Sequence, residues 1–291
     1  MRSPAFVAVA WLIVVAGAWA PPPAAAADPP LRVVASFSTL GSIVQAVAGS
    51  RATVTNLVPV GASPEDYQPT PGDIRTLHAA TVLVENGGGI ESWLQRTIAN
   101  AKNDKLRTVV LSDGLPLKDG NPHLWMDPVF AKKYVAKIAD TLAAADPAGR
   151  VQYERNARAF EARLDALQRW IAVRIATIPP QQRTMIVFHN AWQYYNDRFG
   201  LRTIGVIELS PGQEPSPRYV ADLVRLAKQN KVRAVFAEPE YSPKLVQALA
   251  ESAGIKTVQN LYDDSIGTTP GVHDYPSMLR YDTDTIVKAL R

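Results

Sequence analysis

The chain has 291 residues, of which 47% are hydrophobic and 20% are charged, so we expect a folded globular protein rather than a disordered one. The formal net charge is only +4 and the basic residues are spread along the sequence, which argues against a nucleic-acid-binding surface. Because the chain contains no cysteine, disulfide bonds and thiolate metal sites are excluded.

Residues 1–27 have the pattern of a secretory signal peptide. A positive charge at Arg2 precedes an apolar run over residues 5–20, and small residues follow at 24–27. The apolar run is shorter than the ~20 residues that cross a bilayer, so we expect cleavage after Ala27 rather than a retained anchor. Without a cysteine for lipid attachment, we expect the mature protein to be free in the periplasm and not membrane-anchored. We also expect it to be a monomer.

Residues 28–145 alternate short apolar runs with amphipathic segments. Strands are predicted near 31–36, 53–59, 81–85 and 107–111. Helices are predicted near 39–48, 72–79, 91–101 and 128–144. Because strands and helices alternate, we expect an α/β lobe with a four-stranded, mostly parallel sheet flanked by helices.

One long, rigid helix is predicted within residues 146–180. Residues 147–178 contain no internal proline and only one glycine, Gly149, near the start. Apolar residues recur there at helical spacing, at Phe160, Leu164, Leu167, Ile171 and Ile175. A helix of this length would measure ~45 Å, which is enough to connect and brace two lobes.

Residues 181–291 repeat the alternation of the first half. Strands are predicted near 183–188, 203–207, 233–237 and 256–261, and helices near 191–199, 216–230, 243–253 and 275–289. We therefore expect a second α/β lobe of the same kind. Ligands of parallel sheets bind at the carboxyl ends of the strands, so two facing lobes would hold a ligand in the cleft between them.

Enzyme signatures are absent from the sequence. It has no His-Glu-x-x-His helix, no nucleophile elbow and no phosphate-binding loop. The three consecutive glycines at 87–89 lack the spacing and the lysine of a phosphate loop, and we interpret them as a tight turn. What remains is a set of imidazoles and carboxylates that follow strands or precede helices.

Two histidines are candidate metal ligands. His123 lies in a loop that two prolines make rigid, and either a solvated loop histidine or a fixed metal ligand fits that position. His189 ends the apolar strand at 185–188, where a helix-capping or core role is as compatible as metal binding. His78, within a helix, and His273, in a polar loop, are interpreted as packed and solvated residues outside the site.

Carboxylates in two loops are the other candidates. Glu65 and Asp66 follow the second strand, where acidic side chains commonly serve only solvation. Asp264 follows the last predicted strand, where a helix N-cap is an equal explanation. The wide separation of Glu65, His123, His189 and Asp264 along the chain suits a site assembled at a lobe interface.

Five motifs of the chain resemble those of the metal-binding proteins of zinc and manganese ABC importers. They are Pro-x-x-Tyr-x-Pro-Thr-Pro at 64–71, Asn-Pro-His-Leu-Trp-Met-Asp-Pro at 121–128, Phe-His-Asn-Ala-Trp-Gln-Tyr-Tyr at 188–195, Phe-Ala-Glu-Pro-Glu-Tyr-Ser-Pro at 236–243 and Asp-Asp-Ser-Ile at 263–266. The resemblance implies two α/β lobes joined by one rigid helix, with a metal ion bound between them by four side chains.

The same resemblance implies that Glu65, His123, His189 and Asp264 are the metal ligands. Glu65 is a departure, because the family usually has histidine there, and Asp66 or water remains an alternative first ligand. Glu238 is a candidate for orienting a ligand histidine.

The cargo implied by these ligands is a divalent transition-metal ion. Zinc is favoured because imidazole and carboxylate groups suffice for it, and Mn²⁺ or Fe²⁺ is the alternative. The expected partner is an ABC-importer permease, and no reaction is expected to be catalysed. Two other functions stay open, a zinc hydrolase with Glu65 or Asp66 as general base, and a protein that binds an organic solute.

Overall fold

A computed structural model describes residues 30–267 and 269–291, so the predicted signal peptide at 1–27 lies outside the described residues. The strands are β1 (Leu31–Ala35), β2 (Ala52–Asn56), β3 (Val82–Glu85), β4 (Arg107–Val110), β5 (Thr184–Val187), β6 (Arg202–Val206), β7 (Ala234–Phe236) and β8 (Lys256–Val258). The α-helices are α1 (Ser38–Ala48), α2 (Pro71–Ala79), α3 (Leu94–Ala101), α4 (Pro128–Ala145), α5 (Arg150–Ala176), α6 (Gln193–Phe199), α7 (Pro217–Gln229), α8 (Pro243–Ala253) and α9 (Tyr275–Leu290).

The strands form two four-stranded sheets with the same topology. Their orders are β2-β1-β3-β4 and β6-β5-β7-β8, and every neighbouring pair is parallel. Val33 in β1 pairs with Val54 on one side and Val82 on the other, so this strand is central in its sheet, and its last three residues are buried. The predicted architecture of two α/β lobes joined by a long helix is confirmed.

Helix α5 lies between the strands of the first sheet and those of the second along the chain. It packs against α1 and α4 from the first half and against α9 from the second half. It has 27 residues and therefore measures about 40 Å. One stripe of it is buried, at Tyr153, Ala157, Phe160, Leu164, Leu167, Ile171 and Ile175. The division into lobes at 28–145 and 181–291 with a connection at 146–180 stays a prediction.

Helix α5 begins at Arg150, inside the predicted range of 146–180. Pro147–Gly149 form a 3₁₀ turn in which the Asp146 side chain accepts a hydrogen bond from the Gly149 amide. Arg51 binds both oxygens of the same carboxylate, at 2.7 and 3.0 Å, and Tyr153 donates to it at 2.7 Å. The Asp146 side chain therefore caps the turn that precedes the regular helix. It is held by Tyr153 from α5 and by Arg51 from the turn after α1.

The largest buried cluster is continuous between the two halves of the chain. It contains Val33 and Trp125 from the first half, Leu164 from α5, and Met185 and Leu279 from the second half. Two smaller clusters cover the other faces of the two sheets. Within the described residues, no helix has the length and apolar character needed to cross a membrane.

Two elements of the second half are shorter than predicted. Strand β8 ends at Val258 rather than near residue 261, because Asn260, with a positive φ of 58°, interrupts the strand before the Leu261 amide bonds to the carbonyl of Ala237. Helix α6 begins at Gln193, after a 3₁₀ turn over Asn190–Trp192. Asp264 consequently lies in a loop after β8 and does not directly follow the strand.

Candidate metal centre

The four predicted ligands come from four loops at the carboxyl ends of strands. Glu65 lies between β2 and α2, and His123 lies between β4 and α4. His189 follows β5 by two residues, and Asp264 lies between β8 and α9. Since the carboxyl ends of parallel strands lie at one edge of a sheet, the fold points all four loops into the cleft.

The structure brings the four side chains together. The Nε2 atoms of His123 and His189 are 3.2 Å apart. Nε2 of His123 lies 3.6 Å from Oε1 of Glu65 and 3.6 Å from Oδ1 of Asp264. Nε2 of His189 lies 3.9 Å from Oδ2 of Asp264.

The four measured separations are compatible with one shared ion, and His123 and His189 approach different oxygens of Asp264. Metal–ligand bonds of about 2.0 to 2.2 Å in a tetrahedron place the ligand atoms about 3.3 to 3.6 Å from one another. The observed separations of 3.2 to 3.9 Å are within a few tenths of an ångström of that range. The donor set of two imidazole nitrogens and two carboxylates is also one that divalent transition metals accept.

The ring of His123 is oriented by Asn121. Oδ1 of Asn121 lies 2.9 Å from Nδ1 of His123 and accepts a further hydrogen bond from the His123 amide. The amide nitrogen of the Asn121 side chain donates to the carbonyl of Asn190 at 2.6 Å. Because an amide oxygen can only accept, Nδ1 carries the hydrogen and Nε2 is left free for an ion.

The ring of His189 is oriented by Glu238. Nδ1 of His189 donates to Oε2 of Glu238 at 2.5 Å, and Oδ2 of Asp263 lies 4.0 Å from the same nitrogen. His189 precedes a 3₁₀ turn but its side chain makes no capping hydrogen bond. A ligand imidazole with a carboxylate on its other nitrogen is the common arrangement at metal sites, and Glu238 occupies the position predicted for it.

Asp264 is a buried carboxylate without a partner. Its side chain is 1% exposed, and neither oxygen makes a hydrogen bond. Burying an unpaired carboxylate is costly, so these oxygens need a proton or a cation. The carbonyl of the preceding Asp263 accepts hydrogen bonds from Thr39 and Trp125 in the first half of the chain, which holds the Asp264 loop in place.

Glu65 faces the cleft, whereas Asp66 is exposed. The Glu65 amide donates to Oγ of Ser63 at 3.1 Å. Tyr241, from the second half of the chain, donates to the same hydroxyl at 3.2 Å. This bridge closes one side of the cleft beside Glu65, whose side chain keeps 13% exposure.

Burial and charge shift the titration of the two histidines in opposite directions. Burial, together with the neighbouring His189 charge, lowers the pKa of His123 well below its usual value. Burial alone would also lower the pKa of His189, but the carboxylates of Glu238 and Asp263 outweigh it and raise that pKa well above the usual value. Burial raises the pKa of both Glu65 and Asp264.

Several residues of the site were not singled out in the sequence. Asn121, Asp263 and Glu240 all lie inside the motifs at 121–128, 236–243 and 263–266. Their position in these motifs was the sequence signal that could have identified them. Burial raises the pKa of Glu240 to about 9, and both of its oxygens lack partners.

The residues left out of the predicted site lie outside it. Nδ1 of His78 lies 2.8 Å from the carbonyl of Ala101, and His273 is exposed. The glycines at 87–89 all take positive φ values of 78°, 67° and 92°, as a tight turn requires.

A family model described as ZnuA, zinc-uptake complex component A, periplasmic, matches residues 33–289. The chain belongs to this family. The family relationship covers both lobes and all four candidate ligand positions. It agrees with the resemblance carried by the sequence motifs.

Two curated relatives in this family are similar over most of their length. The manganese-binding lipoprotein MntA of Halalkalibacterium halodurans is 34% identical over 265 residues, which cover 89% of this chain and 88% of the relative. The iron-binding protein YfeA of Yersinia pestis is 30% identical over 267 residues, covering 88% and 85%. Other relatives are named as metal ABC transporter substrate-binding lipoproteins, and these names describe binding components rather than enzymes.

Solved structures of family members share the fold. The manganese-bound periplasmic metal binding protein of Candidatus Liberibacter asiaticus has a TM-score of 0.80 and 26% identity, covering 90% of this chain and 100% of that one. A crystal structure of ZnuA has a TM-score of 0.81 and 29% identity, with the same coverage.

Proposed function

We propose that the chain binds a divalent transition-metal ion between its lobes and delivers it to the permease of an ABC importer. The proposed ligands are Glu65, His123, His189 and Asp264. The observation that carries the proposal is that ligand atoms of Glu65, His123 and His189 lie within 4.8 Å of one another, with both oxygens of Asp264 buried and unpartnered beside the two histidines. The proposed lobes are residues 28–145 and 181–291, braced by the helix within 146–180.

Charge balance supports an ion at this position. Two carboxylates, Glu65 and Asp264, bring two negative charges to a +2 ion, which offsets part of the cost of removing that ion from water. Four protein donors also fill a tetrahedral coordination shell, which leaves no position for a reactive water. That argues against the zinc-hydrolase alternative, because a hydrolase needs an open coordination position.

We propose zinc as the favoured cargo, with Mn²⁺ and Fe²⁺ as alternatives. Support for zinc comes from the intrinsic preference of such donors, two imidazoles and two carboxylates, for zinc over manganese. Manganese and iron are favoured by the relatives, two of which are named manganese-binding and iron-binding proteins.

The proposed location is the periplasm, with a permease as partner and no membrane anchor. The signal-peptide pattern at 1–27 and the lack of cysteine support this. Several relatives are named lipoproteins, and those names do not support the absence of an anchor. The lack of an anchor therefore rests on the composition of this chain alone.

Thermal unfolding of the chelator-stripped protein tests the proposal. Zn²⁺, Mn²⁺ and Fe²⁺ are each added without oxygen, and the Asp264→Asn variant is the matched control. An ion at about 1,000 times its dissociation constant adds about 4 kcal/mol to the free energy of unfolding, so the midpoint should rise clearly with the cargo ion. A midpoint that no metal raises would contradict metal binding, and a larger rise with manganese or iron would replace zinc as the cargo.

A further inference from the structure

Glu208 is a carboxylate beside the metal centre that has no place among the four ligands. It lies just after β6, where its amide donates to the carbonyl of Phe188 at 2.8 Å. The amide of Ile207 donates to the carbonyls of Val187 and Phe188 at 3.0 and 2.9 Å. The segment after β6 thus stays paired with the end of β5. This pairing fixes Glu208 next to Phe188, the residue before His189.

The two oxygens of Glu208 have different surroundings. Oε1 accepts a hydrogen bond from the Gly212 amide at 2.7 Å, which closes the loop from 208 to 212. Oε2 is buried and makes no hydrogen bond, and the residue as a whole is only 8% exposed. A buried oxygen without a partner is unfavourable, so one oxygen orients the side chain and the other is free to bind a ligand.

Glu208 and Glu65 line the same pocket as the two ligand histidines. This pocket has a volume of about 170 Å³ and opens to solvent. The ligands in it differ in exposure, because the Glu65 side chain is 13% exposed whereas those of His123 and Asp264 are 3% and 1% exposed. Glu208 is 8% exposed as a residue, against 5% for His189, 3% for His123 and 1% for Asp264. Glu65 and Glu208 are therefore the more exposed groups and lie on the solvent side of the buried ligands.

We propose that Glu208 binds the arriving metal ion at the mouth of the pocket, together with Glu65, before the ion reaches the buried ligands. The ligand at this outer position is a divalent cation that still carries water molecules. One oxygen of each carboxylate replaces a water molecule there, and His123, His189 and Asp264 replace the rest as the ion moves inward. This inference rests on the proposed function, since it concerns the path to the same site.

Physical chemistry favours such a step. A hydrated divalent cation loses its water at a large cost unless protein donors replace it as it leaves. The innermost ligands are almost fully buried, so a direct transfer from solvent would strip most of the water in one step. An outer pair of carboxylates divides this exchange into two smaller steps.

The test is the rate of Zn²⁺ binding to the chelator-stripped protein and its Glu208→Gln variant. Stopped-flow tryptophan fluorescence reports the event, because the Trp125 ring lies 5.0 Å from the His123 ring. Glutamine keeps an oxygen for the Gly212 amide, so the loop should stay folded, and equal thermal midpoints of the two metal-free proteins verify this. Glu214→Gln is the control, since Glu214 is an exposed carboxylate in the same loop.

We expect Glu208→Gln to slow both association and dissociation, each on the order of 10-fold, and to leave the equilibrium dissociation constant nearly unchanged. A residue that contacts the ion only during entry and exit must change the association and dissociation rates by the same factor. This effect should persist at high salt. Glu214→Gln should change neither rate at high salt.

Three results would overturn the inference. Unchanged rates would mean that Glu208 is not on the path. Faster dissociation with weaker binding would make Glu208 a permanent ligand. Slower association that disappears at high salt, and that Glu214→Gln reproduces, would reduce its role to general attraction. Absence of Zn²⁺ binding by the unmodified protein would instead count against the proposed function itself.

Discussion

The Nε2 atoms of His123 and His189 face each other at 3.2 Å, although the two residues come from opposite halves of the chain. Each ring already uses Nδ1 as a donor, to Asn121 in one case and to Glu238 in the other. Two bare lone pairs would repel at this distance, so a proton or a cation must lie between them. The raised pKa of His189 and the lowered pKa of His123 indicate that the proton belongs to His189.

Metal binding should therefore release protons. The carboxylates of Glu238 and Asp263 outweigh burial and raise the pKa of His189, so this imidazole holds its proton more strongly than usual without metal and must be neutral when it binds. Affinity should rise with pH until that pKa is passed, with release of about one proton or more per ion. Titration calorimetry at pH 7 in buffers of different ionisation enthalpy measures the number, and a binding enthalpy independent of the buffer would contradict it.

Asp264→Asn should weaken metal binding on the order of 100- to 1,000-fold, because it leaves the positive charge of the ion only partly neutralised. Competition with a chelator of known affinity measures the change. Asp66→Asn removes the same charge from an exposed position one residue from Glu65, and it should change affinity little. Equal losses in the two variants would show that overall charge, and not ligation by Asp264, sets the affinity.

Glu238→Gln should lower metal affinity by about 10- to 100-fold although Glu238 is not a proposed ligand. The side chain accepts the Nδ1 hydrogen of His189, and glutamine makes a weaker bond there. Nitrogen NMR of the metal-free protein gives a second measurement, since the pKa of His189 should fall in the variant. Glu251→Gln, at an exposed position of α8, is the control. An unchanged His189 pKa would contradict the positioning role.

Asp146→Asn should reduce stability in a pH-dependent manner. The hydrogen bonds from Arg51 and Tyr153 lower the pKa of Asp146 despite its partial burial, so the ionised form stabilises the fold. This stability is present above the unfolded-state pKa of about 3.9 and is lost as pH falls through the lower folded-state pKa. Urea unfolding at pH 7 and at pH 3 should show a difference from the unmodified protein that shrinks at pH 3.

The control for that comparison is Asp140→Asn, at an exposed position of α4. It should alter stability little at either pH. A constant difference between Asp146→Asn and the unmodified protein across the pH range would assign the effect to packing or capping rather than to the ion pair.

The fold could be predicted closely because its strands and helices differ in the spacing of their apolar residues along the sequence. Buried parallel strands are short apolar runs, and helices such as α5 carry apolar residues at intervals of three and four. Errors occurred where side chains or single dihedral angles decide the boundary. The 3₁₀ turn over Asn190–Trp192 delays α6, and the positive φ of Asn260 interrupts β8, and neither effect appears in a hydrophobic pattern.

The candidate site was only partly predictable. Residue type and family motifs indicated Glu65, His123, His189 and Asp264, and the structure brings them together. Glu208 left no such signal, because its significance depends on a loop closed by the Gly212 amide and on an unpartnered oxygen. Contacts between distant loops of this kind do not follow from spacing along the chain.

The anchoring of the Asp264 loop limits how cargo can be released. Thr39 and Trp125 hold the carbonyl of Asp263, so the loop of the proposed ligand Asp264 is tied to the first half of the chain. A wide swing of the lobes would break these bonds and expose a buried cluster that is continuous between them. Release of a bound ion should therefore require only a small local displacement of one loop, while the rest of the protein keeps its shape.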